Sequence, residues 1–216
     1  VPKDLPLELL APLGCGLQTG AGTVMNSLKV PAGAGIAIFG TGAVGLAAVM
    51  AAGLAGARPI IGVDRVPGRL KLARELGATH TIDNRRQGVL KGIAGITGGG
   101  IDYVVETTAN PEMQRIAVSA LNPRGTVALL TGEAGGTLAQ GRKALGIIQG
   151  DAVPQIFVPR LIDLYRAGRF PFDRLVKFYD FKDINRAMAD ARRGTAIKPV
   201  LKISRVGNTS RKSPPP

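Results

Sequence analysis

Gly35-Ile36-Ala37-Ile38-Phe39-Gly40-Thr41-Gly42-Ala43-Val44-Gly45-Leu46-Ala47-Ala48-Val49-Met50 is an uncharged run that breaks on glycines and resumes as an alanine-rich segment. It predicts a strand, a tight turn and a helix in succession. The first part is short, partly β-branched and free of charge, as in a central parallel strand buried on both faces. The three glycines of the turn then have separate tasks, in the pattern that binds dinucleotides. Gly40 permits a sharp exit from the strand, Gly42 leaves room for a pyrophosphate to approach the backbone, and Gly45 lets helix and strand pack closely. A helix starting at about Val44 aims unpaired amides and the positive end of its dipole at that anion. Thr41, Ala43 and Val44 therefore join the glycines as candidate cofactor contacts.

Glycine turns are common, and the chain has 30 glycines, so context must carry the reading. Pro59-Ile60-Ile61-Gly62-Val63-Asp64 is a second uncharged strand pattern that ends in an acid. That acid falls about 20 residues beyond the glycines, where a dinucleotide motif needs a ribose acceptor. A carboxylate there accepts hydrogen bonds from the adenosine ribose hydroxyls and repels a 2′-phosphate, so Asp64 argues for NAD over NADP. Arg65, next along, is counted with it. An Asp64 that merely caps the next helix would leave the strand, turn, helix, strand and acid series unexplained.

At 216 residues the chain can bury a sizeable core in one or two domains. No segment approaches the roughly 18 consecutive apolar residues of a membrane span, so no membrane partner is expected. The opening Val1-Pro2-Lys3-Asp4 has no charged-then-apolar leader pattern and no initiating Met, which fits either trimming or a chain that begins mid-protein. One cysteine rules out an internal disulfide framework and any C-x-x-C metal site; a reducing, cytoplasmic setting is the expectation. The net charge of +13 raises a nucleic-acid reading, but the basic residues are scattered, aromatic residues make up only 4% and no recognition motif accompanies them. No nucleic-acid partner is expected. The positive field instead favours an anionic dinucleotide.

The remaining elements follow in order. A helix is predicted over residues 19–28, leading to the Val30-Pro31-Ala32-Gly33 turn. Pro67, apolar residues at 70, 73 and 76, and Gly77 mark both ends of an amphipathic helix after Asp64. A third strand is predicted at 79–82, a helix at 86–96, a fourth strand at 101–108, a helix at 111–121 and a fifth strand at 124–131. His80, the only histidine, sits on the third strand, away from the cofactor crevice, and is read as non-catalytic. These alternations give an α/β fold with a doubly wound parallel sheet of Rossmann type, order 3-2-1-4-5-6. The carboxyl ends of the first and fourth strands flank its crevice, so Thr107 and Thr108 border the cofactor and Glu106 is a structural acid. Leu130 and Thr131, ending the fifth strand, present backbone groups to the nicotinamide. A glycine-rich loop over 132–141, a sixth strand at 145–149 and a helix over 154–167 ended by Gly168 come next. The tail from 204 has no apolar period and is expected to be disordered.

Gly14-Cys15-Gly16-x-x-Thr19-Gly20-x-Gly22, then Pro31-Ala32-Gly33, then the glycine turn, resembles the medium-chain, zinc-dependent alcohol dehydrogenases. Tyr165-Arg166-Ala167-Gly168-Arg169-Phe170-Pro171-Phe172-Asp173 resembles their benzyl- or aryl-alcohol branch. The resemblance covers about residues 7–203 but only the carboxyl-terminal part of the family pattern. It implies that Cys15 is a catalytic zinc ligand, that Thr19 packs beside the nicotinamide, that Arg69 helps hold the adenosine ribose and that Lys198 contacts the pyrophosphate. It divides the chain into a lead-in segment (1–30), an NAD-binding domain (31–152) and a terminal strand, helix and strand remnant of the catalytic domain (153–203), with a tail (204–216). It further implies a homodimer through the sixth-strand edge. It also implies an exposed apolar face at 175–203, left by the absent amino-terminal domain.

A catalytic zinc normally takes three protein ligands and an open position. Cys15 alone cannot hold the metal, so zinc belongs to the parent family and is not expected on this chain. No residue supplies a clear proton relay, and no catalytic residue is assigned. The reading is an NAD-binding part of an alcohol dehydrogenase, inactive alone, with an alcohol or aldehyde substrate only if the missing domain is supplied. A stand-alone NAD-binding module without catalysis is the alternative.

Overall fold

The computed structural model describes residues 5–131 and 138–203. The first four residues, most of the predicted loop at 132–141 and the predicted tail from 204 lie outside the described residues. Among the described residues no helix is long and apolar enough to cross a membrane.

Six strands form one parallel sheet in the order β3-β2-β1-β4-β5-β6. They are β1 (Ile36–Phe39), β2 (Ile60–Asp64), β3 (His80–Asp83), β4 (Ile101–Glu106), β5 (Leu121–Leu129) and β6 (Lys143–Gly146). Side chains alternate across a strand, and here both faces are buried. Ile36 and Ile38 enter one apolar cluster, whereas Ala37 and Phe39 enter the other. That is why β1 is apolar without interruption. On the first face lie α2 (Gly16–Gly22), α3 (Ala43–Leu54), α4 (Pro67–Glu75) and α7 (Pro154–Arg166), preceded in the chain by the single turn α1 (Leu7–Leu10). On the second lie α5 (Val89–Thr97) and α6 (Pro111–Ser119).

α3 is buried from Gly45 through Ala52 because it is covered by the sheet on one side and α2 on the other. The approach of α2 is close. A Cβ on Gly20 would lie 2.0 Å from the Val44 carbonyl oxygen. The helix expected over 19–28 therefore starts earlier, at Gly16, and continues as a π-helical turn over Thr23–Ser27. Gly20, inside the helix, is what lets it meet α3 so closely.

Several strand bounds also differ from expectation, β4 ending at Glu106 rather than 108 and β5 at Leu129 rather than 131. β5 begins at Leu121 rather than 124, because Leu121 pairs with Ile101 ahead of a register shift. The sixth strand lies at Lys143–Gly146, not 145–149. Gln149, Gly150 and Asp151 all have positive φ (50°, 67° and 47°), which turns the chain back onto α2. There, a Cβ on Gly150 would meet the Gly22 Cα at 2.7 Å. β3 runs one residue later than predicted, and α5 starts three residues later, at Val89, and ends one later, at Thr97.

A separate two-stranded parallel sheet, β7 (Val176–Asp180) and β8 (Lys198–Lys202), is bridged by α8 (Ile184–Arg193). Tyr179, Ala187 and Ala196 form its small core. Asp190 ties it together, accepting hydrogen bonds from the Tyr179 hydroxyl (2.7 Å), Lys177 Nζ (3.2 Å) and Arg193 Nη2 (2.7 Å). Phe178, Phe181, Met188 and Ile203 are exposed on this unit.

Candidate functional site

The turn between β1 and α3 carries out three separate steric tasks. Gly40 has φ +86°, the left-handed region that disfavours a side chain, and a Cβ there would lie 2.4 Å from Thr107 Oγ1. Gly45 sits against the turn itself, its Cβ position 1.8 Å from the Gly40 carbonyl oxygen. Between them, Gly42 caps α3 with extended backbone (φ −78°, ψ −164°), and nothing lies within 4 Å of a Cβ placed on it. Gly40 and Gly45 are thus needed by the protein's own packing. Gly42 faces open space.

That space belongs to a cleft of about 660 Å³ at the carboxyl ends of the strands. Gly40, Gly42, Asp64, Arg65, Arg69, Thr107 and Thr108 line it, so the fold gathers seven of the candidate residues around one opening. Thr107 also fastens the walls together, its hydroxyl donating to the Phe39 (2.9 Å) and Gly40 (3.1 Å) carbonyls. Thr108 donates through its amide (2.7 Å) and its hydroxyl to Glu106, which is wholly buried beneath the cleft.

Asp64 ends β2 and is largely buried. Its Oδ1 accepts the amides of Arg65 (2.7 Å) and Val66 (3.0 Å), and its Oδ2 accepts the amide (2.7 Å) and hydroxyl (3.0 Å) of Thr41. The guanidinium of Arg69 stands 4.0 Å from the same Oδ2, and its buried Nε has no hydrogen-bond partner. Arg69 is seated from behind by Gly194, whose Cβ position is 3.3 Å from that Nε.

The other candidates stand elsewhere. The Thr41 side chain is fully buried and turned to Asp64 rather than the cleft. Ala43, Val44 and Gly45 form the first turn of α3. Leu130 donates its amide to the Glu106 carbonyl (3.2 Å), and the Thr131 carbonyl accepts Gln114 Nε2 (2.9 Å). Lys198 opens β8, outside the cleft lining. Cys15 is exposed, at the head of α2, and Thr19 donates its hydroxyl to the Cys15 carbonyl (2.9 Å). Gly16 lies 3.4 Å, at its Cβ position, from Val44, so this segment borders the dinucleotide turn. Among the described residues Cys15 has no group of His, Cys, Asp or Glu gathered with it that could complete a metal site.

Sequence reasoning missed the far wall, formed by Asn84, Gln87, Val89, Asn110, Met113 and Ile116. Their signal was positional. They follow the ends of β3 and β4, the side on which an open α/β sheet binds its ligands.

Comparison with known proteins places this arrangement. The chain is 43% identical over 211 residues to the geraniol dehydrogenase of Castellaniella defragrans, covering 93% of this chain and 57% of that protein. It superposes on the crystal structure of benzyl alcohol dehydrogenase from Acinetobacter calcoaceticus with a TM-score of 0.89 and 45% identity, covering 94% of this chain and 59% of that one. An alcohol dehydrogenase zinc-binding domain protein from Burkholderia ambifaria gives a TM-score of 0.88 at 51% identity, over 94% and 58%. The chain thus spans a little under three fifths of the length of these three relatives. The family model described as zinc-binding dehydrogenase matches residues 43–150. With half of its residues accounted for by that model, the chain belongs to the zinc-binding dehydrogenase family.

Proposed function

We propose that this chain is the NAD-binding part of an alcohol dehydrogenase, and that the cleft at Gly42 is where the dinucleotide lies. The observation that carries the reading is the open space at Gly42, bounded by the amino end of α3 and by Asp64. Amides at a helix start suit a pyrophosphate, and the carboxylate suits ribose hydroxyls rather than a 2′-phosphate. Ala43, Val44 and Gly45 supply backbone to the phosphates, and Lys198 supplies charge. Arg65 and Arg69 flank the ribose. Thr19, Leu130 and Thr131 serve the nicotinamide end. NAD, once bound, supplies hydride chemistry; this chain's residues bind and orient it.

The division into a lead-in (1–30), cofactor domain (31–152) and remnant of a catalytic domain (153–203) is part of the same proposal. The exposed Phe178, Phe181, Met188 and Ile203 support it. Cys15 would serve zinc only beside ligands from that further domain, which would also complete the site for an alcohol or aldehyde. An aryl alcohol is suggested by the benzyl alcohol dehydrogenase likeness. The setting is cytoplasmic.

The test is calorimetric titration of the chain with NAD and NADP, alongside Asp64→Gly. NAD binding that is lost or switched to NADP in the variant supports the reading; binding of neither by the unaltered chain refutes it. Homodimerisation is read separately. Among the described residues β6 pairs only with β5, and Ile148 beyond it is 81% exposed, an edge that a second copy would cover. Sedimentation equilibrium should give a dimer at micromolar concentration that Ile148→Lys weakens; a monomer throughout refutes it.

A further inference from the structure

We propose that Thr41, which does not line the cleft, sets the preference for NAD by locking the carboxylate of Asp64. The inference rests on the cleft being the dinucleotide site. Four donors of this chain converge on the Asp64 carboxylate and fix its plane. Three donors are backbone amides, of Thr41, Arg65 and Val66, fixed by the glycine turn and the approach to α4. The fourth is the Thr41 hydroxyl, at 3.0 Å from Oδ2.

That hydroxyl is placed by packing. Thr41 is fully buried, and its Cγ2 methyl lies 3.2 Å from the Cβ position of Gly62 on β2. Gly62 makes the space that the methyl occupies, and a β-branched side chain is restricted at χ1. Thr41 thereby ties the glycine turn to the end of β2 at the same oxygen that faces Arg69.

The consequence concerns what Asp64 would do if released. With its hydroxyl removed, Oδ2 keeps one donor, and the next candidate is the Arg69 guanidinium, already 4.0 Å away. A carboxylate drawn into that ion pair turns from the position in which it takes ribose hydroxyls, and it ceases to oppose a 2′-phosphate. Thr41 is therefore a positioning residue that acts through Asp64 and does not touch the cofactor.

The experiment measures NAD and NADP dissociation constants for the unaltered chain, Thr41→Val, Thr41→Ser, Asp64→Gly and the Thr41→Val/Asp64→Gly double variant, with a thermal midpoint for each. Thr41→Val fills the same volume without the donor. It should weaken NAD by about tenfold, the scale of one hydrogen bond to a charged group, while NADP changes less. Thr41→Ser should restore NAD affinity. In the Asp64→Gly background, Thr41→Val should leave both dinucleotides unmoved. Unchanged or tighter NAD binding in Thr41→Val overturns the proposal, as does an equal loss with Asp64 absent. Should Thr41→Val not fold, Thr41→Ala gives the same comparison. If the unaltered chain binds NAD, such a result sinks the Thr41 inference alone; if it binds neither dinucleotide, both readings fall.

Discussion

Replacing Gly42 by Ala separates binding from folding with one methyl group. Its backbone is extended (φ −78°, ψ −164°), a conformation any residue adopts. Nothing lies within 4 Å of the new Cβ. Two small effects on stability oppose each other. Alanine is a poorer helix cap than glycine, but it restricts the unfolded chain, which stabilises by about 0.4–1 kcal/mol. The net change should stay within about 1 kcal/mol, or roughly 2–4 °C in Tm for a chain of this size. Binding is another matter. The methyl projects into the space through which a pyrophosphate meets the first amides of α3, and each charge-assisted hydrogen bond lost there is worth about 1.5–3 kcal/mol. NAD affinity should fall about 10- to 100-fold. Calorimetric titration and thermal unfolding on the same preparation read both quantities. A folded variant that binds NAD as tightly as the unaltered chain would refute the placement of the cofactor. A variant that does not fold would refute the claim that the site is open.

Gly45→Ala should do the reverse. Within a helix the change ordinarily stabilises by about 1 kcal/mol, but a Cβ 1.8 Å from the Gly40 carbonyl forces α3 off the turn. Overpacking of about 1–3 kcal/mol then wins, and Tm should fall by several degrees, whereas Gly53→Ala, in the same helix with nothing within 4 Å, should raise it. Equal shifts in denaturation for the two would contradict this. Acid should weaken the β7-α8-β8 unit. The Tyr179 hydroxyl, then Lys177 and Arg193, hold the Asp190 carboxyl well below the usual carboxylate range. A depressed native value means that stability is present above the unfolded Asp pKa of about 3.9 and is lost as pH falls through the native value. The stability difference between the unaltered chain and Asp190→Asn should therefore shrink steadily below about pH 4; a difference that stays constant as acid is added would count against the Asp190 network.

Much of the fold was legible because its signals are local. The uninterrupted apolar character of 36–39 and 60–63 reports strands buried on both faces, and Pro67 and Gly168 mark helix ends through fixed backbone preferences. Boundaries were less legible where a distant partner decides them. Leu121 becomes strand only because Ile101 lies opposite, and Gln149 leaves the strand because Gly150 must reach Gly22. Of the cleft, the wall built by Gly40, Gly42, Asp64, Thr107 and Thr108 could be read from spacing. The opposite wall, Asn84 to Ile116, carries no motif, since its residues share a position after strand ends and not a residue type.

By itself, then, the sequence determined that a glycine turn, a following helix and a distant acid would meet, because each needs only its own backbone geometry and the parallel sheet's single hand. Tertiary structure decided how they meet. Gly42 opens on a cleft while Gly45 is pressed to a carbonyl, and identical residues take opposite roles because their neighbours come from different parts of the turn. Asp64 reads from sequence as a free acceptor. In the fold it is held by four donors, one of them a buried hydroxyl 23 residues earlier in the chain. A hydrogen bond at that separation depends on two strands lying side by side, and no local pattern encodes it.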